Sequence, residues 1–291
     1  MSILLGKDIA QNIYNDLTEK INKLSKLNLV PKLSVILVGN RADSETYVSM
    51  KNKKCKELGI ISDILKFNED VSQEELINTI QSLNNDTNVH GILVQLPLPN
   101  HINTDTVLSN VSIKKDVDGF HYENMGKLST NKNPEFKPCT PDGCMELIKK
   151  TNIDISGKQA VILGRSNIVG LPISLMLLHN NATVTICHSK TKDIESHVQK
   201  ADIVIAACGR AKMVKKSWIK PGAIVIDVGI NSVTDNTKKR GYRLVGDVDF
   251  DEVKNIAGYI TPVPGGVGPM TIAMLMKHTV EACLKNLNNC L

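Results

Sequence analysis

Tyr47 and Lys51 stand four residues apart in SETYVSMKNKKCKEL, so on a helix they share one face. A lysine screened from solvent has a lowered pKa and can handle protons near neutrality. An isolated pair at this spacing more often carries an ordinary exposed lysine. Gln95 sits in the apolar run GILVQLPLP, where a buried amide needs partners. Strands of α/β sheets deliver residues to a crevice at their C-terminal ends, so structural satisfaction and ligand contact both suit it. Asp118 in KDVDGFH precedes a glycine, which is also the usual place of a turn-forming Asp. TPVPGGVGPMT (261–271) holds three prolines and three glycines, a composition for a rigid loop that lets a flat ligand approach the backbone.

A second constellation lies further on. QAVIL runs into GRSNIVGLP (164–172) and then into the apolar stretch ISLMLLHNN. A glycine turn between a strand and a helix aims backbone N–H groups and the positive helix end at phosphate. The fit to GxGxxG is imperfect: Gly164 fills the first place, Ser166 and Val169 replace the other two, and Gly170 comes one residue late. Alone, such a turn can equally be a plain connection. After the next run, TVTIC, come His188, Ser189, Lys190 and Thr191, with no carboxylate before Asp193. A carboxylate there would hold the ribose hydroxyls of NAD, whereas hydroxyl, ammonium and the Arg165 guanidinium welcome a 2′-phosphate. NADP is therefore favoured over NAD, against the alternative of a merely polar loop.

The elements that must position these residues alternate. LSVILVG (33–39), SDILKF (62–67) and VHGILVQLPLP (89–99) read as strands, the last stopped by two prolines. A helix from about Ser44 to Leu58, with Asp43 or Ser44 as N-cap and Gly59 as C-cap, follows the first. Another, Gln73–Asn84, is opened by Ser72. From Asp118 to about Pro141 the chain is rich in Asn, Pro and Gly and reads mostly as loop, the candidate domain junction. A helix then runs from Pro141 to Lys150, with Thr140 as cap. Four strands follow, QAVILG (159–164), ATVTIC (182–187), DIVIAAC (202–208) and AIVIDVG (223–229), separated by helix-length segments. This alternation predicts parallel sheets with crossover helices. TIAMLMKHTVEACLKNL (271–287) is an amphipathic helix that can pack back on the first domain.

The chain has 291 residues, room for one large domain or two modest ones. Its 42% apolar and 22% charged residues are ordinary globular composition. A net charge of +5 is too mild to argue for nucleic acid. The seven cysteines (55, 139, 144, 187, 208, 283, 290) form no CxxC pair and no zinc spacing, and read as reduced, mostly buried thiols of a cytoplasmic protein. No stretch approaches the roughly 18 apolar residues a membrane helix needs, and the opening apolar run is too short for a signal peptide.

Over nearly its whole length the chain resembles the bifunctional methylenetetrahydrofolate dehydrogenase/methenyltetrahydrofolate cyclohydrolase family. The likeness runs through YVSMKNKKCKELGI, GILVQLPLP, KDVDGFH, PCTPDGCMELI, ISGKQAVILGRSNIVGLP, GAIVIDVGIN, GDVDF and TPVPGGVGPMT. It implies an α/β protein of two domains. These are an N-terminal catalytic domain (1–139, joined by helix 271–291) and a Rossmann-like NADP-binding domain (140–270) with a parallel sheet. It also implies oxidation of 5,10-methylenetetrahydrofolate with NADP and hydrolysis of the methenyl product to 10-formyltetrahydrofolate. These steps belong to one-carbon metabolism feeding purine and formyl-methionyl tRNA synthesis.

By the same resemblance Lys51 manages the proton, Gln95 tunes it, Tyr47 stacks on the folate rings, and Asp118 grips the amino-pyrimidine edge. Leu96, Pro97, Pro264 and Gly268 shape the folate wall. Gly164, Arg165, Ser166, His188 and Gly209 lie on the cofactor, Arg165 and Ser189 at its 2′-phosphate, and Ile230 and Thr271 at its nicotinamide end. The resemblance further implies a homodimer, tetrahydrofolate ligands with or without a polyglutamate tail, no metal, and neither a nucleic-acid nor a membrane partner.

Overall fold

Runs of Val, Ile and Leu too apolar for a one-faced strand become the inner strands of two parallel sheets in the computed structural model, which describes residues 2–238 and 241–289. Cys290 lies outside the described residues. The chain opens with β1 (Ser2–Ile3) and α1 (Gly6–Ser25). It continues through β2 (Lys32–Val38), α2 (Ala42–Leu58), β3 (Ile61–Phe67), α3 (Gln73–Asn85) and β4 (Gly91–Val94). Three helices follow without an intervening strand: α4 (Thr104–Ser109), α5 (Tyr122–Ser129) and α6 (Cys139–Lys149). Alternation resumes with β5 (Gln159–Leu163), α7 (Gly170–His179), β6 (Thr183–Cys187), α8 (Ile194–Gln199), β7 (Ile203–Ala206) and β8 (Ile224–Asp227). A hairpin of β9 (Asn231–Thr234) and β10 (Tyr242–Val245) precedes α9 (Phe250–Val253), β11 (Tyr259–Ile260) and α10 (Val267–Asn289).

The chain divides into two compact units. One comprises Asn12–Cys139 and the residues from Ile272 onward; the other comprises the residues up to Gln11 and Thr140–Thr271. In the first, the parallel sheet has the order β3-β2-β4. Central β2 is buried along nearly its whole length, while edge strand β3 leaves Ile61 and Ile64 exposed. The residues of α10 from Ile272 pack in this unit, as expected: Met276 Sδ lies 3.4 Å from Cys55 Sγ of α2. In the second unit the sheet has the order β1-β11-β8-β7-β5-β6, with every paired neighbour parallel. Its interior strands β5, β7 and β8 supply the core.

Several expectations need correction. Of the stretch 1–139 given to the first domain, residues 2–11 do not join the first unit, because β1 pairs with β11 (Ser2 with Tyr259, Ile3 with Ile260). The stretch read as loop contains α5, whose Gly126 and short polar turns hide the helical period; His121 Nδ1 caps it by accepting Glu123 N–H at 3.1 Å. Helix α2 begins at Ala42, and neither Asp43 nor Ser44 is its cap: Asp43 sits in the first turn and accepts Ser44 N–H at 2.9 Å. Helix α6 starts at Cys139, which puts Thr140 inside it and Pro141 in its first turn, where a missing N–H costs nothing. Helix α10 starts at Val267, four residues early, because the last glycine and proline of its loop fall in a first turn that tolerates them. The other caps stand as read. Ser72 accepts Glu75 N–H at 3.1 Å, and Gly59 takes the left-handed conformation at φ 77° that closes α2.

Candidate active site

In the three-stranded unit β2 and β4 run parallel, so the segments leaving their C-terminal ends come together. Helix α2 leaves β2 and carries Lys51 on a buried face with Ser44, Val48 and Cys55. Gln95 extends the ladder one residue past β4, its N–H donating to Ile36 O at 2.9 Å. Lys51 Nζ donates to Gln95 Oε1 at 3.0 Å, and Gln95 Nε2 donates to Leu96 O at 2.8 Å. The amide is thereby fixed with its oxygen towards the lysine. Lys51 is 8% exposed, so the bland reading of a surface lysine fails. Burial pushes its pKa down against the opposing pull of the Asp118 carboxylate. A neutral amine that spends one N–H on Gln95 keeps a lone pair free to accept a proton.

Asp118 answers Lys51. Burial raises its carboxyl pKa, and the Lys51 cation works against that rise. Its neighbours fix its loop. Lys115 Nζ donates to the carbonyls of Leu83, Asn84 and Asp86 at 2.9, 2.8 and 2.7 Å, closing the C-terminal end of α3. Asp116 accepts from Phe120 N, His121 N and Asn124 Nδ2, and burial lifts its pKa to about 6. Tyr47 lies one turn before Lys51, half-buried, with its phenol pKa raised by burial and then by Asp43. Leu96 and Pro97, joined to each other by a cis peptide bond, follow Gln95. The structure thus brings Tyr47, Lys51, Gln95 and Asp118 into one unit. Pro264, exposed, and Gly268 belong to the six-stranded unit and are outside this group.

In the six-stranded unit β5 stands between β6 and β7, so the chain leaves β5 on one side and returns on the other. Such a reversal opens a crevice at the strands' C-terminal ends. A cavity of about 290 Å³ occupies that place, lined by Gly164, Arg165, Ser166, His188, Ser189 and Arg210 among others. Gly164 has φ 120°, and a Cβ there would overlap the Ala207 carbonyl; one on Gly170 would overlap Gly164 O. These two glycines, six residues apart where the first and last of GxGxxG are five, make the close strand–helix approach that the motif makes. Ser166 Oγ accepts Val169 and Gly170 N–H at 3.2 and 3.3 Å, taking up donors at the start of α7.

The His188–Thr191 stretch is an ordered turn: Thr191 Oγ1 accepts His188 N–H at 2.9 Å, and His188 Nδ1 accepts Lys190 N–H at 3.1 Å. Among the described residues that line the cavity none is acidic, while two are arginines. A dinucleotide with a phosphorylated ribose fits this lining: glycines admit its backbone, and cations with a hydroxyl face its charge. Ile230 is 45% exposed after β8, and Thr271 Oγ1 lies 3.0 Å from Thr140 Oγ1.

Sequence reasoning missed the carboxylates that hold this rim. Asp247 accepts from Cys208, Gly209 and Arg210 N–H at 2.7, 2.9 and 2.9 Å and from Asn231 Nδ2 at 2.8 Å, tying the segment after β7 to that after β8. Asp227 in turn accepts from Asp247 N and Val248 N at 2.9 Å, and burial lifts its pKa to about 7. The string GDVDF was the available signal. An amide at Asp247 would set N–H groups against N–H donors. We expect Asp247→Asn to weaken NADP and NAD alike by roughly tenfold, one to two hydrogen bonds' worth, read by calorimetric titration.

Comparison with known proteins now decides the family. Residues 4–118 match the tetrahydrofolate dehydrogenase/cyclohydrolase catalytic domain, and residues 138–287 match the NAD(P)-binding domain of the same family. The chain belongs to the tetrahydrofolate dehydrogenase/cyclohydrolase family. It is 57% identical over 281 residues to bifunctional protein FolD 2 of Arabidopsis thaliana, covering 96% of this chain and 94% of that one. It is 51% identical to bifunctional protein FolD of Brevibacillus brevis, covering 98% of each. Among solved structures, the bifunctional FolD of Campylobacter jejuni is 48% identical with a TM-score of 0.93, covering 100% of both chains. The Trypanosoma brucei family member, complexed with NADP cofactor and inhibitor, is 42% identical with a TM-score of 0.94 over 97% of each chain. The expected two-domain α/β fold is that of the family.

Proposed function

We propose that this chain oxidises 5,10-methylenetetrahydrofolate with NADP and hydrolyses the methenyl product to 10-formyltetrahydrofolate. The observation that carries this reading is the buried Lys51 amine held on Gln95 Oε1 at 3.0 Å, under the charge of the Asp118 carboxylate. A dinucleotide-binding protein without hydrolytic chemistry has no use for such a pair.

NADP held in the cavity at the end of β5 would supply the hydride acceptor, and the two flanking folate nitrogens would stabilise the cation left behind. That step asks for positioning rather than an acid or base. Tyr47 offers a face for the folate rings, and Asp118 accepts the paired donors of the amino-pyrimidine edge. Leu96 and Pro97 shape the folate wall beside Gln95. Hydrolysis needs a proton carrier. The neutral Lys51 amine takes a proton from the water attacking the methenyl carbon. The ammonium so formed returns it to the folate nitrogen whose bond to that carbon breaks, and the water's second proton leaves to solvent. Gln95 Oε1 holds the lysine through both states.

Gly164, Arg165, Ser166, His188, Ser189 and Gly209 would hold the cofactor, with Arg165 and Ser189 on its 2′-phosphate and Ile230 and Thr271 at its nicotinamide end. The reading also places the protein in the cytoplasm, in one-carbon supply to purine synthesis, acting on folates with or without polyglutamate tails. It further includes a homodimer through the six-stranded unit. Edge strand β6 supports the dimer, since Ile186 and neighbouring Leu178 of α7 are 37% and 52% exposed. Among the described residues no helix is long and apolar enough to cross a membrane.

The purified protein assayed with NADP and with NAD, while the methenyl absorbance is followed, tests the whole reading. We expect faster turnover with NADP and decay of added methenyltetrahydrofolate above the buffer rate. Equal rates with both cofactors, or decay at the buffer rate, would remove the corresponding half.

A further inference from the structure

Helix α10 places one titratable side chain in the interior of the three-stranded unit that none of the steps above uses. His278 is 4% exposed and packs against Phe136 at 5.3 Å between ring centroids. Its Nδ1 lies 2.9 Å from Val117 O. A carbonyl oxygen cannot donate, so Nδ1 must carry the proton and donate to it. Val117 immediately precedes Asp118.

The same carbonyl has a second suitor. Cys139 Sγ lies 3.2 Å from Val117 O and 3.6 Å from His278 Nδ1. That thiol also interacts with the Asp118 carboxylate, and both it and the His278 ring act to lower the Asp118 pKa. A carbonyl oxygen has two lone pairs, so Val117 O accepts the imidazole N–H and the thiol S–H together. The imidazole N–H is the stronger donor. The two bonds pin the peptide unit that immediately precedes Asp118. Backbone contacts hold the frame, with Cys139 N–H donating to Asp118 O at 3.3 Å.

We propose that His278 is a positioning residue for Asp118: by donating to the Val117 carbonyl it fixes the backbone that presents the folate-binding carboxylate. The C-terminal helix thereby takes part in folate recognition without touching the ligand. This rests on the reading of Asp118 as the folate-binding carboxylate, so the experiment must separate the two.

His278→Leu keeps bulk and apolar packing but removes the N–H. His278→Asn keeps an N–H the same number of bonds from the backbone as Nδ1. Steady-state folate KM and kcat, NADP affinity by calorimetry, and melting temperature are measured for both, with His278→Ala as a second N–H-less variant and Asp118→Ala as reference. We expect Leu and Ala at 278 to raise folate KM roughly tenfold, the loss of about one buried hydrogen bond, with kcat and NADP affinity within about threefold. His278→Asn should stay near the parent. Equal rises in folate KM for Asn and Leu, no rise for Leu and Ala, or a parallel loss of NADP affinity would each overturn the proposal. If Asp118→Ala itself leaves folate KM unchanged, the assignment of Asp118 falls, and the proposal with it. A rise for Asp118→Ala alone would leave that assignment standing and reject only the role of His278.

Discussion

Replacing Lys51 by Met is expected to abolish cyclohydrolase activity, a loss of at least about a thousandfold, while NADP affinity stays at the parent value. Methionine matches the lysine stem in length and suits a residue 8% exposed, so the fold does not lose a buried group's packing. What disappears is the amine that Gln95 holds at 3.0 Å. Decay of methenyltetrahydrofolate reads the loss, and calorimetric titration with NADP reads what survives. Loss of NADP affinity instead would detach Lys51 from the folate chemistry. The pH profile gives an independent reading. The lysine must be neutral to accept a proton, so the hydrolytic rate rises with pH through its pKa. Burial moves that rise below the ordinary lysine range. The rise should be absent from the residual activity of the methionine variant.

Arg165→Ala separates the two cofactors. Its guanidinium lines the cavity at the end of β5 together with Ser189, where no described lining residue is acidic. A charge-assisted contact to a phosphate is worth about 1.5–3 kcal/mol, so NADP affinity should fall roughly 10- to 100-fold. NAD affinity should change by no more than about threefold, since NAD lacks the phosphate. Equal losses for the two would move Arg165 to the pyrophosphate they share.

How much of this was legible beforehand depends on the length scale of each signal. The buried strands and their order of appearance could be read directly, because apolar runs such as LSVILV and IVIA have no other stable place. Ser72 and Gly59 were readable as caps because their chemistry is local. The pairing of β1 with β11 was not, since two residues with no alternation carry no signal of a partner more than 250 positions away. Helix α5 was hidden because Gly126 and the flanking Asn and Ser residues mimic loop composition. In the site, Tyr47 and Lys51 could be placed on one face from spacing alone. That Lys51 is buried, with Gln95 as its partner, depends on which face of α2 meets the sheet. Asp247 looked like one of several acidic residues in GDVDFDE; only its four donors, drawn from two separate segments, distinguish it.

The division of α1 and α10 between the two units has a consequence for synthesis on the ribosome. Most of the three-stranded unit is made first, yet its residues from Ile272 onward emerge only after the whole six-stranded sheet has been made. Cys55 and Val117 must wait for Met276 and His278 to leave the exit tunnel. The six-stranded unit, conversely, has had β1 in hand from the start and needs only β11 to receive it. A gene cut between residues 139 and 140 would therefore yield two polypeptides, each lacking a strand or helix carried by the other. The folate half would mature last, although most of it is encoded first.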